Sequence, residues 1–295
     1  MHSGTYFIDL ILSGITVGSL YALIAIGYTM VYGILRLINF AHGDIFMMAG
    51  FFMVFISANM SPVLAIPIVL ILTVALGVTV EQVAYKPLRS APRMSVMISA
   101  IGVSYLLQNL ATYITGGLAR PYPEIPILKK TFTIGALNVK MITVVTPVLT
   151  IILVIALVLF INHTKTGMAM RAVSKDFDTA RLMGIKVNNV ISSTFIIGSL
   201  LAGVGSVLYF SNYGQVSPMI GSMPGLKAFV AAVFGGIGSI PGAVLGAYII
   251  GICESLIKSN EAISIFSNAF TFVLLIVVLL FKPNGMFGEQ LTEKV

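Results

Sequence analysis

The stretch RLINFAHGD, Arg36 to Asp44, interrupts an apolar run that otherwise reads as membrane helix from about Tyr6 to Ile56. A charged side chain at the centre of a bilayer costs roughly 2.5 to 3.5 kcal/mol on insertion scales, so arginine, asparagine, histidine and aspartate this close together need a reason. As a single helix the run would be about 75 Å long at 1.5 Å per residue, against a hydrocarbon core of about 30 Å. It cannot cross once and straight. The polar stretch therefore reads as a break, either at membrane depth or as a turn at the surface.

The rest of the chain belongs to the same environment. Hydrophobic residues make up 58% of the 295 and charged ones 9%, with a mean hydropathy of +1.03, more apolar surface than a water-soluble domain can hide. Clear spans are expected at Pro62 to Val80, Met94 to Thr115, Met141 to Ile161, Val190 to Phe210 and Ile263 to Phe281. The first apolar segment has no Lys or Arg before it and outruns a signal-peptide core, so it is expected to remain as a span. Gly225 to Ile257 would be about 50 Å as one helix, long for one crossing and short for two. It carries FGGIGSIPGA, Phe234 to Ala243, as a second interruption. The expected architecture is all-α and polytopic, with eight or nine membrane segments, some broken or short. Interruptions in both halves leave an internal repeat open and point towards a transport pathway.

The net charge of +7 does not suggest nucleic acid, because the basic residues fall in short connections rather than in one block. Such charge orients the chain. If YKPLRSAPR, Tyr85 to Arg93, is cytoplasmic, the connection His163 to Lys186 is inside and Gly116 to Lys140 outside. The tail from Lys282 is then inside if Gly225 to Ile257 enters and returns as two short helices or a re-entrant hairpin. The lone Cys253 cannot form an internal disulfide, and no Cys/His cluster has metal-ligand spacing, so neither metal nor cofactor is expected. Gly14, Gly18 and Ala22, Ala228, Ala232 and Gly236, and Ala243, Ala247 and Gly251 form rows of small residues at helical spacing, suited to close helix packing.

Several blocks carry a resemblance. DTARLMG, Asp178 to Gly184, is similar to the E-A-A-x-x-x-G loop by which ABC-importer permeases engage their ATPases, with Asp178 at the glutamate and Thr179 at the first alanine. YALIAIGYTMVYGILRLINFAHGDIFMMAG (Tyr21 to Gly50), AYKPLRSAPRMSVMISAIGVSYLLQN (Ala84 to Asn109), AAVFGGIGSIPGAVLGAYIIGICESL (Ala231 to Leu256) and the tail KPNGMFG extend the likeness. Together they resemble the permease subunit of branched-chain amino-acid ABC importers along nearly the whole chain. That likeness implies one permease domain over residues 1–295 with a cytoplasmic coupling loop, 163–186, in the inner membrane of a bacterium or archaeon. It also implies a homologous second permease, two cytoplasmic ATPases, an extracytoplasmic substrate-binding protein and contact with membrane lipids. The chain carries no G-x-x-x-x-G-K-[ST] phosphate loop, so nucleotide chemistry belongs to another polypeptide and no catalytic residue is expected here.

Within the bilayer, Asn39, Phe40, Ala41, His42 and Gly43 are the expected pathway residues, with Gly235, Gly236, Gly238, Pro241 and Gly242 at the second break. Asn39 and His42 offer hydrogen bonds to a zwitterion and Phe40 suits a branched apolar side chain. Asp44 reads as a helix cap, and Glu254 as a structural residue near an interface. Gln108 and Asn109 are further polar candidates. ATPase coupling is expected at Arg171, Asp178, Ala180, Arg181 and Gly184. Two rival readings remain at this point: an importer of urea or short amides on the same scaffold, and a membrane-embedded enzyme acting on lipid.

Overall fold

The structure, a computed structural model, describes residues 2–89, 91–134, 137–282 and 285–287. Its elements run α1 (His2–Leu35), α2 (His42–Ser57), α3 (Pro62–Val80), α4 (Arg93–Thr115), β1 (Arg120–Pro121), α5 (Pro126–Lys129), β2 (Thr131–Ile134), β3 (Leu137–Lys140) and α6 (Met141–His163). They continue with α7 (Lys165–Lys175), α8 (Phe177–Leu182), α9 (Val187–Tyr213), β4 (Gln215–Val216), α10 (Ser222–Gly235), α11 (Ile240–Lys258), α12 (Glu261–Ser264) and α13 (Ser267–Phe281). Helices α1, α3, α4, α6, α9 and α11 are long and apolar enough to cross a membrane; α2, α10 and α13 are shorter apolar helices. The protein is an all-α, multi-pass membrane protein whose only described strands are two short antiparallel pairs, β1 with β4 and β2 with β3.

The chain breaks at 36–41, between α1 and α2, and the break does not stay at the surface. His42 packs against Gly27 of α1 and lies beside Gly198 of α9. Gly27 is eight residues, about 12 Å of helix, before the end of α1. After α1 completes its crossing the chain thus turns back and starts α2 near mid-depth. From there α2 runs towards the end of the molecule that carries β1 and β4, because Gly50 meets Phe210 and Val216. Its first twelve residues are buried except Phe52, so α2 is walled in by protein rather than lipid.

The second half repeats this arrangement upside down. Helix α9 crosses from the α7 face to the β4 face, residues 214–221 dip back, and α10 starts beside Gly43 near mid-depth, then runs towards the α7 face. Packing partners exchange accordingly: α3 lies on α9 as α11 lies on α1, α2 lies on α9 as α10 lies on α1, and α1 meets α9 between the halves. The two non-glycine residues with positive φ among the described residues, Arg36 (54°) and Met219 (70°), fall one in each dipping segment. An inverted repeat of crossing helix, half-helix and crossing helix follows.

Two details differ from the sequence reading. The glycine-rich interruption is present at 236–239, but it is the turn joining α10 to α11 at the α7 face; the half-depth irregular segment of this half is 214–221. The expected span Ile263 to Phe281 is divided, because the Asn260 side chain caps a separate short α12 and α13 begins only at Ser267. Backbone N–H groups of Met286 and Phe287 donate to the carbonyls of Phe234 and Gly235 at 2.9 and 3.0 Å, so the tail closes the open end of α10.

The rows of small residues meet each other. A Cβ on Gly14 would stand 2.8 Å from the Ile252 Cα, one on Gly18 2.8 Å from the Tyr248 Cα, and one on Gly251 would overlap the backbone of Gly18. Helices α1 and α11 therefore touch main chain to main chain, where dispersion replaces the missing hydrophobic drive. Gly251→Leu is expected to destabilise the protein by at least about 1–3 kcal/mol through overpacking. The thermal unfolding midpoint in detergent should fall clearly, while Leu245→Ala, on the exposed face of α11, should leave it unchanged.

Candidate functional site

Where the two half-helices start, the main chains nearly touch. A Cβ on Gly43 would stand 2.6 Å from the Gly221 carbonyl oxygen and 3.1 Å from the Gly225 Cα, and one on Gly225 2.9 Å from the Gly43 Cα. No larger residue fits at either crossing point. The first turns of α2 and α10 thus converge, and their positive dipole ends converge with them.

A cavity of about 280 Å³ opens beside this meeting point. Its lining combines the polar groups of Asp44, Ser104, Gln108 and Ser222 with the apolar side chains of Phe40, Ile101, Leu226 and Phe229, and Tyr28 and Tyr105 also line it. Its size is near the lower limit of small-ligand cavities, about 300 Å³. Ser104 and Gln108 stand one turn apart on α4 and reach the same partner. The Ser104 hydroxyl donates to Asp44 Oδ2 at 2.5 Å, and the Gln108 amide donates to Asp44 Oδ1 at 3.0 Å, with Ser222 Oγ 3.2 Å from the same amide nitrogen.

Asp44 is not a cap. Helix α2 starts after Ala41 with no side-chain capping bond, and the Asp44 side chain points across to α4. Its position in the first turn still suits the helix dipole.

Of the residues singled out from sequence, Phe40 and Gly43 line the cavity. Asn39 is buried away from it, its Oδ1 accepting the Tyr85 hydroxyl at 2.7 Å. His42 is buried with its ring edge-on to Tyr28, centroids 5.0 Å apart, and its Nε2 has no hydrogen-bond partner. Ala41 is the buried residue before α2. Gly235, Gly236, Gly238, Pro241 and Gly242 lie at the α10–α11 turn and line no part of this cavity; a Cβ on Gly235 would overlap the Gly242 carbonyl. Asn109 points out, its amide donating to its own helix at Tyr105.

Two buried ionic clusters tie helices together, one of them through the half-helix α10. Glu254 is buried rather than interfacial: Lys227 of α10 at 2.7 Å, Lys258 at 2.5 Å and the Tyr21 hydroxyl of α1 at 2.8 Å all donate to it. Lys227 and Glu254 both lie in apolar stretches, and only the α10–α11 hairpin joins them. Glu81, in a wide helical turn at 81–85 that extends α3, pairs with Arg89 and accepts from Ser192 of α9 at 3.0 Å. A polar pair spaced four apart within an apolar span, as in Ser104 and Gln108, was the available signal for the cavity's polar lining.

The connection 163–186 folds as α7 and α8. The Asp176 carboxylate caps α8 through the N–H groups of Asp178 and Thr179, Ala180 is buried beneath it, and Gly184 ends it with φ 82°. Asp178 and Arg181 are exposed, and the Arg171 guanidinium donates to the Asn162 side chain at 2.8 Å. Leu182 and Met183 project outwards, 87% and 78% exposed, as an apolar knob. Arg36, in the first break, donates to the Ser174 carbonyl of α7 at 3.2 Å.

Residues 10–279 match the family described as branched-chain amino acid transport system / permease component. The chain belongs to this family. It is 40% identical over 306 residues to the high-affinity branched-chain amino acid transport system permease protein BraD of Pseudomonas aeruginosa, covering 98% of each chain. It is 39% identical over 305 residues to LivH of Escherichia coli K12, a permease protein of the same description, again over 98% of each chain. A probable branched-chain amino acid transport permease LivH of Methanocaldococcus jannaschii is 28% identical, over 95% of this chain and 92% of its own length. As a member of this permease family, the chain works with other components of an ABC transport system.

Removing the Tyr85 hydroxyl leaves the buried Asn39 carbonyl without its donor. Tyr85→Phe is expected to cost about 1–3 kcal/mol. Hydrogen exchange should rise first at 36–41, with the α1–α11 seam unchanged.

Proposed function

We propose that this protein is the translocation subunit of an ATP-driven importer of branched-chain amino acids. It is one permease domain, residues 1–295, in the cytoplasmic membrane of a bacterium or archaeon. The observation that carries this reading is the cavity beside the converging half-helices, lined by both polar and apolar groups, at mid-depth in a chain similar throughout its length to branched-chain amino acid permeases. The polar groups suit a zwitterion, and Ile101, Leu226 and Phe229 suit an aliphatic side chain, which favours such amino acids over urea or short amides.

The partners are a homologous permease, two ATPases and an extracytoplasmic binding protein. Most Lys and Arg outside the apolar helices lie on the α7 face, which makes it cytoplasmic. There the Leu182–Met183 knob and the exposed Asp178 and Arg181 offer apolar and charged contacts to an ATPase, with Arg171 and Ala180 fixing α7 and α8. ATP-driven closure of the ATPases moves this element, and the attached helices switch the cavity between the two sides.

Proteoliposomes holding the complete importer should accumulate labelled leucine only with ATP inside the ATPase compartment. Uptake of urea in preference to leucine would overturn the substrate. At Gly184 nothing lies within 4 Å of a would-be Cβ, so the constraint there is its positive φ. A β-branched residue in that conformation is strained by at least about 1–2 kcal/mol. Gly184→Val should therefore lower uptake per ATP hydrolysed several-fold and Gly184→Ala less; normal coupling in both would remove this element from the coupling role.

A further inference from the structure

Three acidic side chains are buried among the described residues: Asp44, Glu81 and Glu254. Two are neutralised from within. Glu81 pairs with Arg89, and Glu254 with Lys227 and Lys258. Asp44, 2% exposed, has no cationic partner among the described residues and takes only the neutral Ser104 hydroxyl and Gln108 amide. It is also the one of the three that lines the cavity.

A carboxylate offers about four acceptor positions, and Ser104 and Gln108 occupy two. An ionised carboxylate at membrane depth is costly without a counter-charge, so an acidic residue kept there beside a cavity calls for a cation that comes and goes. Ser104 and Gln108 hold the carboxylate in place without neutralising it. Leu226 and Phe229 line the same cavity and offer an apolar surface to an aliphatic side chain.

We propose that Asp44 is the docking carboxylate for the ammonium group of the amino acid in transit. This rests on the import function above and names the recognising group at its site. The α-ammonium binds Asp44, the side chain lies against Leu226 and Phe229, and the α-carboxylate faces the amide end of α10. Recognition at this point selects for the zwitterion and is indifferent to the length of the aliphatic chain.

The test compares Asp44→Asn with Asp44→Glu in the complete importer in proteoliposomes, with leucine uptake expressed per assembled complex. Asparagine keeps the shape and a hydrogen-bond acceptor but removes the charge; glutamate keeps the charge at the cost of shape. A purely structural aspartate is replaced better by asparagine. A docking carboxylate is replaced better by glutamate: uptake should fall tenfold or more in Asp44→Asn, with at least a third of wild-type uptake in Asp44→Glu. Uptake in Asp44→Asn equal to or above that of Asp44→Glu, including a complete loss in both, overturns the proposal while leaving the import function standing. Failure of the wild-type complex to carry leucine overturns both.

Discussion

Lipid cannot hydrogen-bond to a peptide, and this fold depends on that fact. Every turn of chain that leaves a helix at depth must find its donors and acceptors within the protein. Around the first break the Arg36 N–H returns to Tyr32, that of His42 to Asn39 and that of Asp44 to Ala41, while the Asn39 side chain is held by Tyr85. At the far end of α10 the tail supplies donors to Phe234 and Gly235. The half-helices can therefore begin inside the membrane only because α1, α3 and α9 wrap them, and the tail completes the end of α10 at the α7 face. Glycine at positions 43, 221 and 225 then brings the two starts together.

The ionic groups follow the same economy. Glu254 with its two lysines and Tyr21 ties α10 to α11 and α1, and Glu81 with Arg89 and Ser192 ties the end of α3 to α9. Such clusters contribute little net stability against apolar substitutes, but breaking one partner out is costly. They fix which helix lies against which. Since α11 on α1 and α3 on α9 correspond under the inverted repeat, each half has one such clamp, at opposite faces of the membrane.

Much of this was legible in the chain itself. Length against bilayer thickness placed a break within Arg36 to Asp44 and a second interruption within Gly225 to Ile257, and helical spacing marked the small residues that meet in the α1–α11 seam. Depth was not legible, because it depends on the chain folding back: GQVSPMIG after α9 reads as an ordinary surface loop, and no local feature tells a loop that dips from one that lies flat. The partners of Asp44 were hidden for the same reason, being 60 and 64 residues away on α4. As a neighbour of a helix start, an aspartate looks like a cap, and only the tertiary contact shows otherwise. His42 and Asn39 were conspicuous as polar residues; the structure turns both into the protein.

Arg36 gives the break a mechanical meaning. Its guanidinium holds the last turn of α7 at the Ser174 carbonyl, and its own backbone is the left-handed residue at which α1 ends. From Arg36 to the start of α2 at His42 the chain is non-helical, and Asp44 follows two residues later. A short segment of chain thus links the α7 face to the buried carboxylate that lines the cavity. In the proposed importer, a displacement of α7 therefore has a direct route to the cavity through this segment.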